Sequence, residues 1–145
     1  MKRAMITVCG DFGDRYWVSS LMLTCIAKLS SALGQNGYEV VYADSMDNAQ
    51  MRDPVRDIEI EAGMAKGNNA DILFVVYRDE LRHNYLYAAF CHLREVLPRQ
   101  IALVLIDIGN NDGLTATQRN FLNQLRGLFF LHGTRGTDKE TVALL

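Results

Sequence analysis

Carboxylates recur in this chain directly after short apolar runs, the place where sugar-binding or acid–base chemistry could be assembled. Asp11 and Asp14 follow one run, Asp44 and Asp47 a second, Asp79 and Glu80 a third, Asp107 and Asp112 a fourth. Arg15, Arg78, Arg82 and Arg135 are the cations in the same stretches. A carboxylate there can accept hydrogen bonds from sugar hydroxyls, stabilise a cationic carbon or move a proton. The sharpest segment is Gly10-Asp11-Phe12-Gly13-Asp14. Its glycines let a ligand approach the backbone, and the helix that follows offers unpaired N–H groups. It is neither G-x-G-x-x-G nor G-K-[ST], so neither the dinucleotide nor the P-loop cradle is present. Acids in that turn suit hydroxyl-rich ligands better than a phosphate.

The elements that must position these groups are legible as a rhythm. Five apolar runs, Ala4–Cys9, Tyr38–Ala43, Ile72–Tyr77, Ile101–Ile106 and Leu128–His132, alternate with stretches of helical spacing. That alternation predicts a three-layer αβα domain of flavodoxin-like, Rossmann-like type, with a five-stranded parallel sheet in the order 2-1-3-4-5. In such a sheet ligands bind beyond the carboxyl ends of the strands. The first helix is expected from about Arg15 to Gln35. Trp17, Leu21, Cys25 and Leu29 step by four along one face, and Asn36-Gly37 supplies the stop. Asp53-Pro54 starts a second helix that breaks at Gly67-Asn68-Asn69, and Asn84 to Leu97 form a third, stopped by Pro98. Capping boxes at Thr115/Gln118 and Thr137/Glu140 mark two more. The third run is apolar at nearly every position and belongs in the middle of the sheet.

At 145 residues the chain reads as a single domain, 1–145, long enough to bury a core. A net charge of -2 argues against a surface built for nonspecific nucleic-acid binding. No apolar run approaches the ~20 residues that span a bilayer, and the N-terminus has no signal-peptide core, so a cytoplasmic protein without membrane contact is expected. Cys9, Cys25 and Cys91 form no C-x-x-C pair and read as reduced, buried thiols. No metal site and no cofactor are expected. His83, His92 and His132 belong to no H-x-x-x-H or acid–His sequence motif.

A phosphorylatable receiver would need a Thr or Ser ending strand four and a Lys ending strand five. Asp107 and His132-Gly133 stand there instead. A flavin mononucleotide carrier would need a Thr/Ser-rich first loop, which is also missing. The succession of Gly10-Asp11-Phe12, a long helix, Gly37-Tyr38-Glu39-Val40-Val41 and Ala70 to Tyr77 ending near Asp79 and Glu80 resembles the nucleoside 2-deoxyribosyltransferase-like families over roughly residues 4 to 107. Asp14-Arg15-Tyr16-Trp17-Val18 and the stretch from Tyr77 to His92 are also similar to TIR domains, many of which cleave the nicotinamide–ribose bond of NAD. Both resemblances imply a ribosylated base as ligand and a Glu early in the helix after strand three as nucleophile. Here that turn is Asn84-Tyr85-Leu86-Tyr87-Ala88-Ala89-Phe90, without a carboxylate. A phenol such as Tyr87, with an ordinary pKa of ~10, is a poor replacement at neutral pH.

Together these readings imply a domain binding a nucleoside, a nucleotide or an NAD-like small molecule, cleaving or transferring across its N-glycosidic bond. Asp79 and Glu80 are the expected catalytic carboxylates. Gly10, Asp11, Phe12, Asp14 and Asp44 are the expected substrate-binding residues, with Phe12 against the base and Asp14 or Asp44 on ribose hydroxyls. The alternative is a TIR-like interaction or nucleotide-sensing module without turnover. A homo-oligomer in which a neighbour supplies the missing group is the third arrangement.

Overall fold

The computed structural model describes residues 2–9, 20–42, 63, 65–77, 83–107, 116–125 and 128–132. Four parallel strands make the heart of the sheet: β1 (Lys2–Cys9), β2 (Tyr38–Tyr42), β3 (Ile72–Tyr77) and β4 (Ala102–Asp107). Their order is β2-β1-β3-β4. Helix α1 (Ser20–Gln35) joins β1 to β2, α2 (His83–Val96) lies between β3 and β4, and α3 (Ala116–Gln124) follows β4. Residues 10–19 (which include the expected start of the first helix), most of the expected second helix and the terminal capping box fall outside the described residues.

The sequence explains which strands are central. β3 is apolar along its whole length, and Ile72 to Val76 are buried on both faces of the sheet. β2 stands at the edge, with Glu39 and Tyr42 exposed and its remaining residues half-buried. Alternate residues of the inner strands separate into two cores, as the period-2 pleat requires. Ala4, Ile6, Ile72, Phe74, Val76, Val104 and Ile106 meet Cys25, Leu29, Ala32 and Leu33 of α1. Met5, Leu73, Val75, Leu103 and Leu105 meet Phe90, Leu93 and Leu97 on the α2 side. Tyr87 of α2 and Phe121 of α3 stack edge-to-face at 6.0 Å, and Leu125 packs on the same core, so α3 shares the α2 face.

Handedness accounts for these layers. The chain steps from β1 to β2 in one direction and from β3 to β4 in the other. If every crossover is right-handed, the helices on the two sides of that reversal must cover opposite faces. α1 and α2 do so.

Helix ends follow local rules. After α1, Gly37 takes φ +82°, the left-handed conformation, and its N–H bonds Gly34 O at 3.3 Å. Helical residues 65–67 end in a paired motif: Asn69 N–H bonds Lys66 O at 3.1 Å and Ala70 N–H bonds Ala65 O at 3.0 Å. There Asn69, at φ 53°, occupies the left-handed position.

The amino edge of the sheet is sewn shut. Asp71 Oδ2 accepts from Arg3 N–H, Asp71 N–H returns a bond to Arg3 O, and Ala102 N–H bonds Asp71 O. The Arg3 guanidinium pairs with Glu39 at 3.0 Å and donates to Asn68 O. Arg94 donates to Ile101 O at 2.9 Å, Pro98 O at 3.0 Å and, more weakly, Leu97 O at 3.4 Å. These contacts tie helix ends to strand starts and leave the opposite, carboxyl edge for chemistry.

Candidate functional site

The carboxyl edge is level. Cys9 of β1 is the Cα partner of Tyr77, and Tyr77 of Asp107. Each is the last residue of its strand, so three adjacent strands finish in one row. The sequence places a polar or ionisable group at every position of that row after runs that are almost entirely apolar. β4 extends one residue beyond its apolar run, through Asp107, because the acid still pairs in register with Tyr77. His83, which sequence reading leaves in a loop, is the first residue of α2.

The expected site residues Gly10, Asp11, Phe12, Asp14, Asp44, Asp79 and Glu80 lie outside the described residues. What the fold supplies is the order of the strands from which they issue. The reversal in strand order falls between β1 and β3, and Gly10-Asp11 continues directly from Cys9 while Asp79 and Glu80 follow Tyr77 by two and three residues. Asp44 follows the end of edge strand β2.

Three other nucleophilic candidates are described in full, and each is disarmed. Desolvation raises the Tyr87 pKa, and its hydroxyl donates to the Cys91 sulfur one helical turn on, which holds the phenol proton more firmly. The Cys91 thiol is raised by desolvation, partly offset by that hydrogen bond, with Glu95 adding to the rise. Neither provides an anion at neutral pH, so the phenol standing in the helix after β3 does not replace a catalytic carboxylate. The described part of α2 carries a single carboxylate, Glu95, in its last turn.

Cys25 is buried against the sheet at 1% exposure, and burial pushes its thiol up to about 11, with Lys28 pulling it partly back. The ordinary value is 9.0, so between about pH 9 and 11 the unfolded chain gives up a proton that the folded chain keeps. Stability from this group is full below pH 9 and is lost as pH rises through 11. Between pH 8 and 10 the protein is expected to lose about 1 kcal/mol more than a Cys25→Ala variant does. Urea unfolding at the two pH values measures this, and equal losses in the two proteins would show that the thiol is not desolvated.

Among the described residues, no group of three or more His, Cys, Asp or Glu side chains is placed to hold a metal ion. Nor is any helix among them long and apolar enough to cross a membrane. No family model matches this chain, and no curated protein sequence matches it.

Proposed function

We propose that this chain is a flavodoxin-like domain, with the full five-strand order 2-1-3-4-5, that binds a nucleoside or nucleotide at its carboxyl rim and acts on the N-glycosidic bond. The observation that carries the reading is the pairing of Cys9 with Tyr77 at the strand-order reversal. Asp11 and Asp79 each follow those partnered residues by two positions. Two residues of chain reach about 7 Å at most, and neighbouring strands lie about 4.8 Å apart, which supports reading both acids as neighbours at one crevice mouth. Asp79 and Glu80 would stabilise positive charge at the anomeric carbon as the base departs, Asp11, Asp14 and Asp44 would accept from sugar hydroxyls, and Phe12 would cover the base.

The experiment is to incubate the protein with NAD, ribonucleosides, 2′-deoxynucleosides and their monophosphates, follow free base by chromatography, and record thermal shifts in parallel. A ligand at about 100 times its Kd stabilises by about 2.7 kcal/mol, which reads as a rise of several degrees in Tm. Asp79→Asn combined with Glu80→Gln is expected to lower base release at least about 100-fold while leaving Tm without ligand unchanged. An unaltered rate in that double variant would overturn the assignment of these two acids.

A second reading has its own support. The first turn of α2 has no acid, and Tyr87 in that helix is held neutral. A non-catalytic, TIR-like sensing module would bind the same ligands and show a thermal shift with no free base. A homo-oligomer completing the site would instead show base release that rises faster than linearly with protein concentration.

A further inference from the structure

We propose that the outer edge of β2 joins the same edge of a second copy of this chain, antiparallel across a two-fold axis at Val40, so that two sheets become one. β2 stands last in the strand order, and among the described residues no strand pairs with its outer side. Its outward N–H and C=O groups form an open template for another strand. The devices that commonly guard such an edge are missing from Tyr38–Tyr42. It contains no Pro and no Lys, and its register with β1 runs one to one without a bulge. Four of its five residues are Tyr or Val, types that favour pairing. The one charge, Glu39, is held by Arg3 of its own chain at 3.0 Å.

Charge and shape select a second copy as the occupant. Centred on Val40, the pairing sets Tyr38 opposite the partner's Tyr42 and Glu39 opposite the partner's Val41. Aromatic side chains then meet twice, and the two acids do not face each other. Tyr38, Val40 and Tyr42 lie on the α1 face: the first two pack against the α1 core, and the Tyr42 hydroxyl meets Ser30 Oγ at 2.7 Å. That contact holds the Tyr42 ring at the edge, where it is 55% exposed. α1 packs over β1, between β2 and β3, so in the joined sheet the two α1 axes stand three strand spacings, about 14 Å, apart. Helices in direct contact stand about 8–10 Å apart. The trough left between them is floored by the two Val40 side chains and filled by four tyrosine rings.

This joining goes beyond the nucleoside reading and does not rest on it. It turns the two carboxyl edges in opposite directions, so it is separate from any arrangement in which a neighbour completes the site.

Sedimentation velocity of the full chain over a range of concentrations is the first test, and a dimer with a Kd of about 10 µM or tighter is expected. Tyr42→Lys puts a charge on the edge at an exposed position. It should weaken the dimer at least about 10-fold while circular dichroism and Tm stay those of the wild type. Val40→Cys reads the register itself: across the axis the two Cα atoms stand about 4.5–5.5 Å apart, within disulfide range. Mild oxidation should cross-link the dimer, with residue 40 in both linked peptides by mass spectrometry. A wild type that stays monomeric at about 100 µM would overturn the proposal and leave the edge to a strand from another protein. A dimer that ignores Tyr42→Lys and gives no linkage at position 40 would overturn it too, because the contact would then lie elsewhere.

Discussion

Phe74→Ala is expected to cost about 3–5 kcal/mol of folding stability, the largest single-residue effect in this protein. Phe74 is 0% exposed at the middle of β3, and on the α1 face it joins Ile6, Val104, Leu29 and Leu33 in one core. Truncation removes the burial of a whole ring and leaves a void that strands hydrogen-bonded on both sides cannot close. In urea unfolding this is a large fall in midpoint, and in a thermal scan a drop on the order of 10–20 °C for a domain of this size. Phe74→Leu fills most of the volume and should cost under about half as much. A loss below about 1 kcal/mol for the Ala variant would mean that β3 is not the centre of the sheet.

Arg94→Ala is the second large effect, on the order of 3 kcal/mol, and its cause is polar. The residue is only 9% exposed although it lies in the last turn of a helix. Its guanidinium reaches Leu97 O and Pro98 O beyond the helix end and Ile101 O at the start of β4. The Leu97 and Pro98 carbonyls lie just beyond the negative end of α2, where a cation is favoured. Burial, with Arg99 adding repulsion, lowers the Arg94 pKa from its ordinary value. Removing the side chain strands two or three acceptors, each worth about 1 kcal/mol or more when left unmade. Arg94→Lys keeps the charge but lacks the planar fork, and should recover less than half of the loss. The measurement is the urea midpoint of both variants. By contrast, Glu39→Gln, which breaks the exposed ion pair with Arg3, should change stability by less than about 1 kcal/mol.

How much of this could be read beforehand depends on what each residue answers to. β3 was legible to the residue, Ile72–Tyr77, because burial on both faces demands an unbroken apolar run. The stripe on α1 was legible as well, since Cys25, Leu29 and Leu33 obey helical spacing and are buried. β1 begins earlier than its apolar run, at Lys2, because Arg3 is held by partners, Asp71, Glu39 and Asn68, that are distant in sequence. Asp107 was hidden for a related reason: a strand that ends in an acid looks finished one residue too soon. Arg94 resembles any solvated helix cation until the fold brings Ile101 to it. The rim acids were legible by type, as groups following strands, but their mutual geometry depends on loop conformation, which periodicity does not encode.

The order of the strands also constrains how the chain reaches this state. β1 leaves the ribosome before either of its neighbours, yet one of them is β3, and the bonds joining Arg3 to Asp71 close a separation of 68 residues. Until Tyr77 has emerged, β1 can pair only with β2, and its other hydrogen-bonding edge stays open. At about 5–20 residues per second, synthesis leaves that edge unpaired for several seconds, during which an apolar strand is a template for other chains. Slow, long-range closure of this kind also places refolding in the range of milliseconds to seconds. Yield on overexpression should therefore depend on the rate of translation between Tyr42 and Tyr77 more than on the final stability of the domain.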